Sequence, residues 1–596
     1  MVETIAKING AINGVVWGIP MLILIVGTGI LMTCLTKFFQ VTRAKHVVKE
    51  TLGGIFSKKD VTKNTDAKSI SQFQALCTAL AATIGTGNIA GVATAIAIGG
   101  PGAVFWMWLS AFFGMMTNYS ENLLGIYYRR KNKDGEWSGG AMYYLRDGLG
   151  SKKGCKNLGK ILAVIFSIFC IAASFGIGNM SQINSISSAM SANFGIPALI
   201  TGIILAVIAA LVIVGGIKRI GQTTEKLVPF MALFYIIGAL IIFFMNIKQA
   251  PYIFSSIFQN AFNFGSIAGA GSGLIIKRAV TMGFKRGVFS NEAGLGSSVM
   301  VHSASNVKEP VTQGIWGIFE VFVDTIIVCT LTAFVLLSST CTSIPLSEAV
   351  ENVTKEAKYV SIYDINAFTN EENIPLMDVS TNPVIELAEA DNDISDTYTV
   401  KPENGQPFKI SLKKDDPSDD SNYIYTNVML LKGLSLDENG NEIEDVNAPI
   451  NAVSIEQIEG VPLVTYAFSQ RFGGWSGMVL AIAILLFAFS TVLGWSYYGT
   501  KAWEYLFGTK STMLYKTVFV LFIIVGATMD LGLAWDISDT LNGLMAIPNL
   551  IGVLTLSGTV VAITKNYVNR KFKNSDEKPM LSVFEDIQKE HEQSIR

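Results

Sequence analysis

The sequence predicts an all-α polytopic membrane protein. About eleven transmembrane helices are expected: one peripheral N-terminal helix, then a 5+5 inverted repeat containing two discontinuous helices. One β-rich extracytoplasmic segment is inserted between the eighth and ninth spans. Three observations predict this. Of the 596 residues, 50% are hydrophobic and only 15% charged, against about 25% charged in soluble domains. Apolar runs of about 20 residues recur, the length that crosses the hydrocarbon layer. Two of those runs are interrupted by small polar residues, and they open the two halves of the repeat.

The expected spans lie near 14–37, 73–98, 102–128, 160–192, 196–215, 227–246, 270–303, 311–338, 477–506, 512–531 and 540–564. The first has no basic stretch before it and no clear small-residue cleavage site, so it reads as a retained helix and not a signal peptide. Basic residues set the orientation. Lys37, Arg43, Lys45, Lys49, Lys58 and Lys59 follow the first span, and Arg129, Arg130, Lys131 and Lys133 the third. Lys218 and Arg219 follow the fifth, Lys308 lies between the seventh and eighth, and Lys565, Arg570 and Lys571 follow the last. All fall on the cytoplasmic side if the N-terminus is outside and the C-terminus inside. The chain then divides into a peripheral helix and connector (1–60), a membrane core (61–338 and 463–566), an insertion (339–462) and a cytoplasmic tail (567–596). A multi-pass protein of the cell membrane, with the lipid bilayer as its surroundings, is expected.

The insertion 339–462 holds 24 Asp and Glu against 7 Lys and Arg, a net of −17 in a chain whose total is −2. Strand-like patches such as "PFKISL" and "SNYIYTNVMLL" alternate with turn-rich "KKDDPSDD" and "DENGNE". It reads as a small β-rich extracytoplasmic domain or a decorated loop. The plainer alternative is an acidic, solvated insertion with no ligand role.

Several function classes fall away. The six cysteines form no C-x-x-C pair, and the three histidines form no H-E-x-x-H. There is no nucleophile–base pair, metal cluster or phosphate loop, so neither an enzyme nor a bound cofactor is expected. A net charge near zero gives no reason for a nucleic-acid partner. Gly85-x-Gly87-x-x-Ala90 has the spacing of a dinucleotide turn. That turn needs a preceding strand and an acid about 20 residues on. Here 73–98 carries no charge, and the next acid is Glu121, at the far end of the next span.

Inside a bilayer the same glycines have another meaning. Gly85, Gly87 and Gly91 weaken a helix at mid-depth, where unwound backbone survives only if protein or a polar cavity surrounds it. A broken helix offers amides to a carboxylate and carbonyls to a cation. Close packing of helices through small residues is the alternative. A second interruption, "GVFSNEAGLGSS" at 287–298, favours the broken-helix reading. Gly287, Ser290, Asn291, Glu292, Gly294 and Gly296 interrupt the seventh span, at the position matching the second.

"FQALCTALAATIGTGNIAGVATAI", "GGAMYYL" and "GFKRGVFSNEAGLGSS" resemble signature segments of the alanine or glycine:cation symporter family. The resemblance covers nearly all of the membrane portion. It departs at 339–462, where only a short connection is expected. It implies a core like that of the leucine-transporter fold, sodium as the coupling ion, and symport of small neutral amino acids such as alanine and glycine. It also implies a substrate site between the two broken helices.

On that basis the substrate carboxylate should meet amides around Thr86, Gly87 and Asn88. The ammonium should meet carbonyls of the second break, from Phe289 through Ser290 and Asn291 to Glu292, with Gly294 close by. Asn179 and Gln182, three apart on one helical face, can point together into the cavity. Gln182 is expected on the substrate, and Asn179 either there or in an interhelical bond. The carbonyls of Ala81 and Ile84 with the hydroxyls of Ser490 and Thr491 make an oxygen site suited to sodium. Trp495, one turn from Thr491, either caps a small pocket that excludes leucine or packs against core or lipid. Glu292 is either functional or a partner of Lys285 or Arg286. Glu320 and Asp324, four apart, either touch a cation path or are satisfied by neighbouring helices. Rival classes are a passive facilitator or channel, and a transporter-like amino-acid sensor.

Overall fold

The computed structural model describes residues 2–64, 68–262, 271–340, 460–529 and 532–595, with only short strand segments of 344–458 between them. Most of the expected β-rich insertion therefore lies outside the described residues. The rest is helical apart from a short hairpin in which Arg130–Lys131 pairs with Trp137–Ser138. Six helices among the described residues are long and apolar enough to cross a membrane: Lys7–Leu35, Lys156–Phe194, Gly216–Met245, Pro310–Ser338, Ser476–Phe507 and Thr509–Thr528. Two bent pairs raise the number to eight: Gln72–Thr83 with Thr86–Gly99 at 59°, and Asp539–Thr555 with Ser557–Phe572 at 57°.

Six to eight spans meet that test, against the eleven expected, and the shortfall has physical causes. Gly102–Tyr127 is long enough but ends in buried Asn118, Ser120, Glu121 and Asn122. Ala198–Ile213 has only 16 residues. Gly271–Asn291 carries Lys277, Arg278, Lys285 and Arg286. Other boundaries also move. Lys218 and Arg219 lie in the first turns of Gly216–Met245 and not in a loop. The run 540–564 is two helices meeting at a bend. Gly460–Phe472 is a helix that crosses the expected end of the insertion at 462.

The break-bearing helix Gln72–Thr83 starts at a reciprocal cap. Gln74 N donates to Ser71 Oγ and Ser71 N to Gln74 Oε1, both at 3.1 Å. Two π-helical stretches, Gly176–Met180 and Phe322–Cys329, interrupt the spans that flank the breaks. Such bulges add a residue to a turn and rotate everything beyond them. Gly102–Tyr127 and Pro310–Val321 pack closely because Gly314 and Gly317 face the partner. A Cβ on Gly317 would lie 2.4 Å from Asn118 Oδ1.

At the end of Gly102–Tyr127, Arg129 is 1% exposed and lies 4.0 Å over the Trp137 ring. Its guanidinium donates to Ser303 O at 3.0 Å, to Ser305 O at 2.6 Å and to Val307 O. It thereby pins the chain that follows the second break. The C-terminal tail covers this point: Val583 N donates to Tyr127 O at 3.1 Å, and Lys131 pairs with Glu590 at 2.8 Å. Arg129→Ala leaves three carbonyls short of a donor, and should cost about 3 kcal/mol or more, since each buried group left unpaired costs about 1–3 kcal/mol. The expected readout is a large fall in the detergent-solubilised melting midpoint. Arg129→Lys should recover only part of it, because an ammonium lacks the planar fork.

Candidate functional site

The first break forms because Ile84 and Gly85 leave the helical region and a single 3₁₀ turn, Thr86–Asn88, replaces the α-helix. Asn88 Oδ1 accepts from Gly85 N at 3.0 Å and holds the unwound turn closed. The amide end of the same side chain crosses to the second break. Asn88 Nδ2 donates to Ser290 Oγ at 2.9 Å and to Asp324 Oδ1 at 2.7 Å. Ser290 Oγ and Thr325 Oγ1 donate to Asp324 Oδ2 at 2.7 and 2.8 Å, and Asn291 Nδ2 donates to Thr325 Oγ1 at 3.0 Å. All five side chains are buried. One carboxylate therefore collects three donors from three elements and ties both breaks to Phe322–Cys329. Phe289 closes against the first break. Its ring lies 3.3 Å from where a Cβ on Gly87 would sit, so only glycine allows this approach without displacement.

The second break begins where Gly271–Asn291 ends. Glu292, Gly294 and Gly296 follow with φ of 57°, 96° and 73°, in left-handed backbone. The last carbonyls of a helix have no intrahelical donor, so those up to Asn291 end at the break. Glu292 does not pair with Lys285, which instead meets Asp539 at 2.7 Å. Nor does it pair with Arg286, which lies 5.5 Å over the Phe289 ring. Glu292 accepts from Trp495 Nε1 at 2.9 Å and from Ser297 Oγ at 2.5 Å. Trp495 is 1% exposed, so it is not a lipid-facing residue, and its indole is committed to Glu292. Gly294 belongs elsewhere: its carbonyl accepts from Asn549 Nδ2 at 2.8 Å, on Gly532–Thr555.

Asn179 and Gln182 do not point together. The π stretch Gly176–Met180 ends between them and rotates one from the other. Gln182 Oε1 accepts from Thr86 Oγ1 at 3.0 Å, at the first break. Asn179 Nδ2 instead donates to Phe519 O at 2.7 Å, an interhelical bond. The π stretch beginning at Phe322 separates Glu320 from Asp324 in the same way. Asp324 joins the breaks, while Glu320 turns to His302 Nε2 at 2.8 Å. His302 Nδ1 takes the amide hydrogen of Gln313 at 2.5 Å, so the neutral ring carries its own proton on Nε2, toward Glu320.

Of the residues expected in the oxygen site, Ser490 and Thr491 both reach Phe487 O on their own helix, at 2.7 and 3.1 Å. Ser490 Oγ donates to Ala81 O at 3.1 Å, and Thr491 Oγ1 lies 2.3 Å from where a Cβ on Gly85 would sit. Ile84 is buried at the C-cap of Gln72–Thr83, the helix that carries Ala81. Cys329 Sγ also lies 3.2 Å from Ser290 Oγ, and neither it nor Thr325 and Ser297 is legible in the sequence as a participant. Thr325 and Cys329 sit in an ordinary apolar run, and the adjoining Asp-Thr pair was the one local signal.

The sequence model of the sodium:alanine symporter family matches residues 2–367 and 446–582. This chain belongs to that family. Sodium/alanine symporter AgcS of Methanococcus maripaludis is 41% identical over 557 residues, covering 93% of this chain and 96% of its own length. The probable sodium/glutamine symporter GlnT of Bacillus subtilis is 30% identical, covering 99% and 96%. Among solved structures, a manganese transporter of Eremococcus coleocola is 12% identical and covers 90% of this chain and 88% of its own, with a TM-score of 0.41. The sodium:alanine symporter family is one of multi-pass membrane transporters, so the chain is a transporter and not an enzyme. The family match is interrupted between 367 and 446.

Proposed function

We propose that the chain moves alanine and glycine together with sodium by alternating access. The observation that carries this is the buried Asn88–Ser290–Asp324 junction, which joins two unwound segments from different parts of the chain. Broken helices that meet at depth supply the mixed amide and carbonyl lining that a zwitterion and a cation need. In this reading the substrate carboxylate lies against Thr86, Gly87 and Asn88. Its ammonium lies against the carbonyls of Phe289, Ser290 and Asn291, with Gln182 alongside. Sodium takes the carbonyls of Ala81 and Ile84 and the hydroxyls of Ser490 and Thr491. Trp495 limits pocket size by holding Glu292 in place, and Asn179 and Gly294 act on the surrounding packing.

The orientation proposed is N-terminus outside and C-terminus cytoplasmic in the cell membrane. The eleven-span, 5+5 arrangement requires Gly102–Tyr127, Ala198–Ile213 and Gly271–Asn291 to cross as well. Such helices tolerate polar residues where they pack against protein. For the insertion we propose a β-rich unit, supported by the antiparallel pairing of Ser395–Lys401 with Phe408–Lys414. Thr491→Ala tests the sodium assignment. Loss of one ligand should raise the sodium concentration for half-maximal alanine uptake by about tenfold, equivalent to about 1.4 kcal/mol. Unchanged sodium activation removes Thr491 from the site.

A further inference from the structure

A separate polar cavity of about 190 Å³ lies beyond the breaks, along Ser476–Phe507. Its lining includes Tyr497, Thr500 and Lys501 from that helix, Ile217 and Ile220 from Gly216–Met245, and Lys516. Thr500 is nine residues past Thr491, about 13 Å along the axis at 1.5 Å per residue. The cavity is smaller than the roughly 300–1,000 Å³ of drug-sized pockets, and so suits a ligand of only a few heavy atoms.

Its charges are arranged in two sets. Lys501 is 3% exposed and donates to Glu504 Oε2 at 2.8 Å and Ser138 Oγ at 3.1 Å. Glu504 Oε1 accepts from Ser138 Oγ at 2.7 Å and Asn132 Nδ2 at 3.2 Å. That pair neutralises itself and ties the 130–138 hairpin to the helix. Three groups are left over, the first of them the exposed Asp134 carboxylate. The Lys516 ammonium, half-buried at the cavity wall, makes no hydrogen bond or ion pair among the described residues. The Glu136 carboxylate, also in the wall, is 45% exposed at the cavity mouth and approaches Lys501 only loosely, at 3.7 Å. The cavity thus presents one cation, Lys516, opposite the Glu136 carboxylate, a second carboxylate at its exposed edge, Asp134, and an apolar side made by Ile217, Ile220 and Tyr497.

We propose that this cavity is a second amino-acid subsite on the cytoplasmic side, which takes a small zwitterion as it leaves the central site. The carboxylate meets Lys516, the ammonium meets Glu136, and a side chain no larger than a methyl group or so lies against Ile217, Ile220 and Tyr497. The proposal rests on the symport reading and on its orientation.

The test uses the full chain in proteoliposomes of one orientation. Alanine uptake is measured against external alanine, and efflux against internal alanine. Lys516→Met and Glu136→Gln should each raise the internal half-saturation concentration about fivefold or more, while leaving the external value within about twofold. Lys516→Arg, which keeps the charge, should stay near wild type and guards against a folding defect. Equal changes on both sides, or no change on either, overturn the subsite. A wild-type protein that moves no alanine in either direction overturns the symport reading itself, and the subsite with it.

Discussion

Gly85→Ala should abolish sodium-driven alanine uptake, with a loss of about 100-fold or more (roughly 2.7 kcal/mol). The added methyl group would sit 2.3 Å from Thr491 Oγ1, a distance no Cβ contact tolerates. Either the first break or Thr491 must shift, and both belong to the proposed sodium site. Alanine also favours continuing the helix that glycine interrupts. The double variant Gly85→Ala/Thr491→Ala separates the two effects. Thr491 Cβ lies 3.4 Å from the added methyl group, an ordinary contact, so removing the hydroxyl relieves the clash. The melting midpoint should return toward wild type in the double variant, while sodium activation should stay weak. Near-normal uptake by Gly85→Ala alone would show that the break is free to move and that the site is not built as described.

Asp324→Asn should lower uptake by about 10- to 100-fold and also lower the melting midpoint. The native carboxylate accepts from Asn88, Ser290 and Thr325. An amide presents hydrogens to one of those donor sets, and leaves a buried polar group unpaired at about 1–3 kcal/mol. Ser290→Ala is the milder companion, because Asp324 keeps two donors. A larger effect at Ser290 than at Asp324 would mean that the serine touches the substrate directly and that the carboxylate only positions it.

The first break was readable because its chemistry is local. Glycines at 85 and 87 beside Asn88, in a run with no charge, have few structural explanations in a membrane. The second break was readable for the same reason, and the signature segments supplied the transporter class. What escaped depends on distant packing. Nothing near Gly176 or Phe322 announces a π turn, so the expected common face of Asn179 and Gln182, and that of Glu320 and Asp324, did not form. The Trp495–Glu292 bond joins residues 203 positions apart, and no periodicity encodes it. Hydropathy also cut Gly216–Met245 short, because its first turns are charged although helical.

The most direct test is uptake of labelled alanine and glycine into proteoliposomes, with an inward sodium gradient and then with sodium equal on both sides. The account predicts accumulation above the external concentration only while the gradient exists. Uptake that merely equilibrates in both conditions would contradict sodium coupling and point to a passive facilitator.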